Sequence, residues 1–218
     1  MIKAVIFDMD GLMIDSEKMA RFCCEKAGKE LGYNYTDKLF FKEMGLTPVF
    51  IKELYFKHFG KDFKYDDFIK LKNQYVKEYI KENGIPVKPG LYELLKFLKN
   101  NGYKAAVATS TPRKRAEDYL ARIKIIEFFD KIICGDMIEK SKPNPEIYLK
   151  AADELNVKVE ECFVLEDSPN GITAAYRAGI KTIMIPDLVS PDEELKKKLF
   201  ACVKSLKDVI EILKKYNK

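Results

Sequence analysis

The chain has 218 residues, 47% of them hydrophobic, enough to bury one large core or a core carrying a smaller inserted unit. Its 39 basic and 34 acidic residues leave a net charge of +5 spread along the sequence, with no basic tract interleaved with stacking aromatics, so nucleic acid is not an expected partner. No run reaches the roughly 18 apolar residues of a membrane span, the start lacks a signal peptide's apolar stretch, and five cysteines at 23, 24, 134, 162 and 202 show no zinc-like spacing, so a reducing cytoplasm is the expected location.

The first element is the apolar run of residues 2–7, which reads as a buried strand delivering Asp8 and Asp10 at its carboxyl end. Side chains alternate along extended chain, so the two carboxylates are expected to point the same way. One can then serve as nucleophile or metal ligand while the other handles a proton, with a divalent cation relieving their repulsion. Gly11 lets the chain turn away. Alone, Asp-x-Asp-Gly also has a reading as a simple turn, the less favoured of the two.

Residues 16–83 change character. Ser16 caps an amphipathic helix to about Leu31, and helical patterns follow at 36–44, 47–59 and 64–83, with Gly32, Gly45, Gly60 and Gly84 between them. The expectation is a small all-helical insert of about four helices. It holds the sole histidine, His58, whose helical surroundings suit an ordinary surface or partly buried side chain better than a catalytic one.

From Ile85 onward strands and helices alternate. Helices are predicted at 90–101, 112–122, 145–155, 169–178 and 205–216, and strands at 104–108, 131–134, 162–165 and 182–185. Short apolar strands alternating with helices imply a doubly wound parallel α/β sheet, a Rossmann-like core, interrupted after its first strand. The expected domains are a core of residues 1–14 and 85–218 and a helical cap domain of residues 15–84. The two short connections, around 14–17 and 82–88, predict cap opening and closure.

Ligands of such sheets bind at the carboxyl ends of the strands. The predicted ends carry Asp8 and Asp10; Thr109, Ser110 and Thr111; the segment Glu139–Pro143 with Lys142; and Glu166, Asp167 and Ser168. Hydroxyls and N–H groups at a strand-to-helix turn attract phosphate, though Ser and Thr there also cap helices. Lys142 suits a phosphate as a point charge, although a lysine is ordinarily solvated. The carboxylates of Glu166 and Asp167 suit Mg²⁺.

Asp8-Met-Asp10-Gly11, Thr109, Lys142 in Ser-Lys-Pro-Asn-Pro-Glu, and Glu166-Asp167-Ser168-Pro-Asn-Gly171 resemble, in this order, the four motifs of the haloacid dehalogenase superfamily. The helical insert directly after the first motif resembles the β-phosphoglucomutase-like and phosphoglycolate-phosphatase-like branch, and the resemblance spans essentially the whole chain. It implies that Asp8 attacks phosphorus to form an aspartyl phosphate, and that Asp10 protonates the leaving oxygen and later activates water. Thr109, the Ser110 backbone and Lys142 would hold phosphate oxygens. Asp8, the Asp10 backbone carbonyl and Asp167 would bind Mg²⁺, with Glu166 a direct ligand or a partner of the ligands.

The expected function is therefore a Mg²⁺-dependent phosphatase for a small phosphorylated metabolite, of the sugar phosphate or phosphoglycolate type, acting as a monomer. The alternative is a sugar phosphomutase. In β-phosphoglucomutases a cap histidine and a cap arginine help orient the sugar; here Ala20 stands at the histidine position, and Gly45-Leu-Thr-Pro-Val supplies no arginine. Dehalogenation is disfavoured by the presence of Asp10, and phosphonate hydrolysis would require a Schiff-base lysine in the cap. A noncatalytic receiver-like module would not explain the helical insert. Lys52, Lys57 and Tyr55 are cap side chains within reach of a substrate in principle, but a solvated helix face is the expected setting for them.

Overall fold

The computed structural model describes residues 1–43, 48–187 and 190–217. Its elements, in chain order, are β1 (Ala4–Phe7), α1 (Ser16–Glu30), α2 (Asp37–Glu43), α3 (Pro48–Phe59), α4 (Tyr65–Asn83), α5 (Leu91–Asn100) and β2 (Lys104–Thr109). They continue with α6 (Arg113–Arg122), β3 (Lys131–Cys134), α7 (Glu146–Glu154), β4 (Cys162–Glu166), α8 (Pro169–Arg177), β5 (Lys181–Met184), α9 (Glu193–Lys196), β6 (Ala201–Cys202) and α10 (Val209–Tyr216). The cap segment Gly45–Thr47, read above for the absence of an arginine, lies outside the described residues. The chain forms two compact units, one of residues Met1–Asp15 with Val87–Lys218 and one of residues Ser16–Pro86. No helix among the described residues is long and apolar enough to cross a membrane.

The first unit is a six-stranded sheet in the order β3-β2-β1-β4-β5-β6, every pair parallel. Strand β1 is central, with Ala4 opposite Lys104 on one side and Cys162 on the other. A central strand covered on both faces must be apolar throughout, and all four residues of β1 are buried. Helix α7 reaches one face of the sheet with Ile147, Tyr148, Ala151 and Ala152, which pack with Ile6, Ala106, Ala108 and Val164. The alanines on both surfaces let the backbones approach closely. Helix α5 buries Leu91, Leu94, Leu95 and Leu98, the i, i+3, i+4, i+7 stripe of a helix lying on a core; each buried leucine contributes about 1.5–3 kcal/mol.

Two elements escaped the sequence reading. Helix α9 is one turn long, capped by Asp192, whose carboxylate accepts from Leu195 N at 2.7 Å. Strand β6 is two residues long and extends the sheet through Phe200 N to Thr182 O at 2.8 Å and Val203 N to Met184 O at 2.9 Å. Neither is long enough to show a period. The predicted helix at 205–216 begins instead with a short 3₁₀ turn, Leu206–Asp208, and becomes α-helical only at Val209.

At the amino-terminal end of the sheet, Asn217 clasps β1 and β2. Its amide donates to Ile2 O at 2.9 Å and to the Tyr103 hydroxyl at 2.8 Å, and its carbonyl accepts from Ile2 N at 2.8 Å.

The second unit holds α1 to α4 around an aromatic core that includes Tyr35, Phe40, Tyr55, Phe63 and Phe68. Tyr55 is 1% exposed, correcting the expectation of a solvated face for this residue. Its hydroxyl donates to Glu43, which also accepts from the Tyr35 hydroxyl at 2.6 Å. Tyrosines supply apolar bulk and still satisfy their hydroxyls. Lys52, Lys57 and His58 are exposed.

Candidate active site

The site is built where β1, β2 and β4 end. Beyond Phe7 the chain turns at once: Met13 N and Ile14 N both donate to Met9 O, and Gly11 N donates to Ile14 O at 2.8 Å. Gly11 sits at φ +83°, and a Cβ there would overlap the Asp167 carboxylate, so glycine is required by both backbone and neighbour. This turn places Asp8, 7% exposed, and Asp10 at the mouth of the sheet.

Lys142 arrives from the loop after β3, its side chain 7% exposed. Its ammonium donates to Asp8 Oδ1, to Glu166 Oε1 at 2.8 Å and to Ala108 O at 3.1 Å, and lies 4.9 Å from the centre of the Tyr148 ring. Burial alone would favour the neutral amine, but Asp8 and Glu166 hold Lys142 protonated, well above its ordinary range. Lys142 is therefore a fixed buried cation, not the solvated side chain that is normal for lysine.

Glu166, fully buried, is saturated by the protein. Oε1 accepts from Lys142 and from the Tyr148 hydroxyl at 2.7 Å; Oε2 accepts from Asp167 N, Ser168 N and Ser168 Oγ, each at 3.0 Å. Burial pushes its pKa up, but Lys142 and these donors outweigh burial and hold it below its ordinary value. Ser168 also caps α8, accepting from Gly171 N at 3.1 Å. A Cβ on Gly171 would collide with the Glu166 carboxylate.

Asp167 is the opposite case. Its Oδ1 is buried with no hydrogen-bond donor from the described residues. Burial first, then the charges of Glu166 and Asp8, raise its pKa well above the carboxylate range, against a smaller opposing effect of Lys142. Asp8 is pushed up to about 7, chiefly by burial, with Lys142 opposing and Glu166 and Asp10 adding to the rise. Ligand oxygens of Asp8, Glu166 and Asp167 lie within 4.8 Å of one another. Crowded, desolvated carboxylates with one oxygen lacking a donor suit a hard divalent cation, so the residues fit Mg²⁺. Because Glu166 is fully engaged, the oxygens available to such an ion are those of Asp8 and Asp167.

The Asp10 carboxylate is not in that cluster. Its Oδ2 accepts from the Thr111 hydroxyl at 2.7 Å and from the Thr109 hydroxyl at 3.4 Å, and Thr109 Oγ1 in turn accepts from Thr111 N at 3.0 Å. Thr109 and Thr111 are buried and Ser110 is exposed. The structure thus brings together Asp8, Lys142, Glu166 and Asp167, and pairs Asp10 with the hydroxyls at the end of β2.

Tyr148 was missed from sequence, and Thr111 was read as one of three residues whose hydroxyls and N–H groups attract phosphate, not as a partner of Asp10. A tyrosine carries no mark in sequence that its hydroxyl will meet a carboxylate.

Comparison with known proteins agrees with this geometry. The family model for haloacid dehalogenase-like hydrolases matches residues 5–185. The phosphorylated carbohydrates phosphatase of Thermotoga maritima is 36% identical over 187 residues, 84% of each chain. A solved Thermotoga maritima structure, provisionally assigned as a β-phosphoglucomutase, superposes with a TM-score of 0.85 at 30% identity, over 98% of this chain and 99% of that one. CbbY from Rhodobacter sphaeroides, solved in complex with phosphate, gives a TM-score of 0.78 at 28% identity over 96% of each chain. With four strand-end motifs assembled at one mouth and a family match over most of its length, the chain belongs to the haloacid dehalogenase-like hydrolases.

Proposed function

We propose that the protein is a Mg²⁺-dependent phosphatase that hydrolyses small phosphorylated carbohydrates through an aspartyl phosphate on Asp8. The observation that carries this reading is the pairing of a buried Asp8, held by Lys142, with an Asp167 oxygen that no donor of the described residues reaches. The 36% identity to a phosphorylated carbohydrates phosphatase supports the substrate class.

Asp8 attacks phosphorus as the bond to the leaving alcohol oxygen breaks. Asp10 gives that oxygen a proton, then takes one from the water that cleaves the phosphoenzyme and restores Asp8. The Thr109 and Thr111 hydroxyls hold Asp10 in the orientation for both transfers. Lys142, Thr109 and the Ser110 backbone hold the phosphoryl oxygens, with the lysine as a fixed charge that needs no reorganisation. Asp8, Asp167 and the Asp10 carbonyl would hold Mg²⁺, which supplies charge neutralisation at the transferred group. Glu166 orients Lys142 and the turn that carries Asp167.

The test is phosphate release from a panel of sugar phosphates, phosphoglycolate and an aryl phosphate, with and without Mg²⁺, for the wild type and Asp8→Asn. Metal-dependent release that disappears in Asp8→Asn is expected. Isomerisation of a sugar phosphate primed by a bisphosphate, without net release, would replace this reading with a phosphomutase.

A further inference from the structure

Among the described residues only two buried side-chain oxygens lack a hydrogen-bond partner: Asp167 Oδ1 and Asp187 Oδ2. They belong to the exits of neighbouring strands. Glu166 pairs with Met184 across β4 and β5, and Ile185 N donates to Glu166 O at 2.9 Å. The chain leaving β5 is thereby held beside the turn that carries Asp167, and Asp187 follows two residues later. The negative charge of Asp187 acts on Asp167, in the same sense as those of Glu166 and Asp8.

The other oxygen of Asp187 is accounted for. Lys88 donates to Oδ1 at 2.5 Å, and the same ammonium lies 4.0 Å from Asp15 Oδ1. The side chains of Asp187 and Lys88 are 10% and 19% exposed, so this is a largely desolvated pair. Lys88 is itself fixed, its backbone N–H donating to Met13 O at 2.9 Å. A plain ion pair would explain Oδ1 alone. A buried carboxylate oxygen without a donor is costly, so a fold that retains two of them at the exits of neighbouring strands points to a shared use.

We propose that Asp187 is a positioning residue for the cation site: its Oδ2 accepts a hydrogen bond from the hydration shell of the divalent ion held by Asp8 and Asp167, while Lys88 neutralises its Oδ1. Mg²⁺ retains several waters when bound, and those waters need acceptors. The inference rests on the metal-dependent reading of the site given above.

The test uses the metal-free full chain titrated with Mn²⁺, with free ion followed by electron paramagnetic resonance, so that affinity is read without turnover. Asp187→Ala is expected to raise the Kd about tenfold, in the range found when partners of metal ligands are removed. Lys88→Met, which leaves the Asp187 charge uncompensated, is expected to bind Mn²⁺ as tightly as the wild type or more so. If Asp187 acted only through its charge in the ion pair, the double variant Asp187→Ala with Lys88→Met, which removes both charges, would bind Mn²⁺ as the wild type does, and that outcome overturns the proposal. Equal weakening in the two single variants, or a Kd for Asp187→Ala within twofold of wild type, overturns the proposal. Should thermal melting show Asp187→Ala unfolded, Asp187→Asn takes its place, with about threefold weaker binding expected and an unchanged Kd overturning the proposal. Asp167→Ala separates the two levels: if the wild type binds no Mn²⁺, or Asp167→Ala binds it equally well, the underlying reading of the cation site falls as well. Binding that needs Asp167 but ignores Asp187 removes the present inference alone.

Discussion

The Thr111 hydroxyl donates to Asp10 Oδ2 at 2.7 Å. That bond ties a residue just beyond β2 to Asp10, the carboxylate proposed to handle protons beyond β1. Thr111→Val keeps the shape and removes the donor. Hydrogen bonds to charged groups contribute about 1.5–3 kcal/mol, so kcat for phosphate release is expected to fall about tenfold or more, with Thr111→Ser retaining most of it. A valine variant with wild-type kcat would show that the contact does not orient Asp10 for catalysis.

The carboxylates at the site oppose the stability of the metal-free protein. Asp8 and Asp167 have folded-state pKa values raised above the unfolded value of about 4, by burial first and by neighbouring charges second, Asp8 to about 7. A raised carboxyl contributes stability that is fully present below the unfolded pKa and lost as pH rises through the folded one. Metal-free wild type should therefore lose stability across this window, from about pH 4 to above pH 7. Asp167→Asn removes one of the charges, so its Tm in EDTA at pH 8 is expected above that of wild type, with the gap narrowing towards pH 5. Calorimetric melts decide this; a variant that melts below wild type at pH 8 contradicts it.

Gly171 is tied to Glu166 by lack of space. Alanine there would drive a methyl group into a carboxylate already committed to five donors. Overpacking costs about 1–3 kcal/mol, so Gly171→Ala should lower Tm by several degrees and reduce turnover through the displaced Lys142 and Asp167. Unchanged melting and unchanged turnover together would mean that the turn relaxes freely.

Thiol reactivity should be confined to one residue. Cys202 is exposed, whereas Cys23, Cys24, Cys134 and Cys162 are buried. Burial pushes Cys23 and Cys134 up to about 11 and Cys162 to about 12, so little thiolate exists there at pH 8. A chromogenic disulfide reagent at pH 8 should titrate one thiol quickly in the native protein and all five after denaturation. Cys202→Ser should abolish the fast phase; its survival would reveal an opening at one of the buried thiols.

The legible part of the site was the part written at strand ends. Apolar runs mark parallel strands, and the polar residues following Phe7, Ala108 and Leu165 mark their exits, so Asp8, Asp10, Thr109 and Asp167 could be named from spacing alone. Lys142 could be named only as one member of an ordered set, because its buried bonds to Asp8 and Glu166 depend on a loop closing over the sheet. Tyr148 was hidden because it obeys the helix's apolar period. Asp187, the proposed positioning residue, carried no signal because Pro-Asp after a strand reads as a turn. Strand β6 was too short to carry a period, and its place in the sheet depends on pairing with β5 rather than on its own residues.

The central position of β1 has a consequence for the order of events during synthesis. Residue 4 pairs with residues 104 and 162, so β1 leaves the ribosome before either of its partners and waits for them. The helices of residues 16–83 have local partners and can condense while β1 still lacks both neighbours. Asp8 is likewise made long before the Glu166 and Asp167 carboxylates that it faces in the folded chain. A ribosome stalled before β4 would expose a nascent chain with folded helices and an Asp8 still lacking its neighbouring carboxylates.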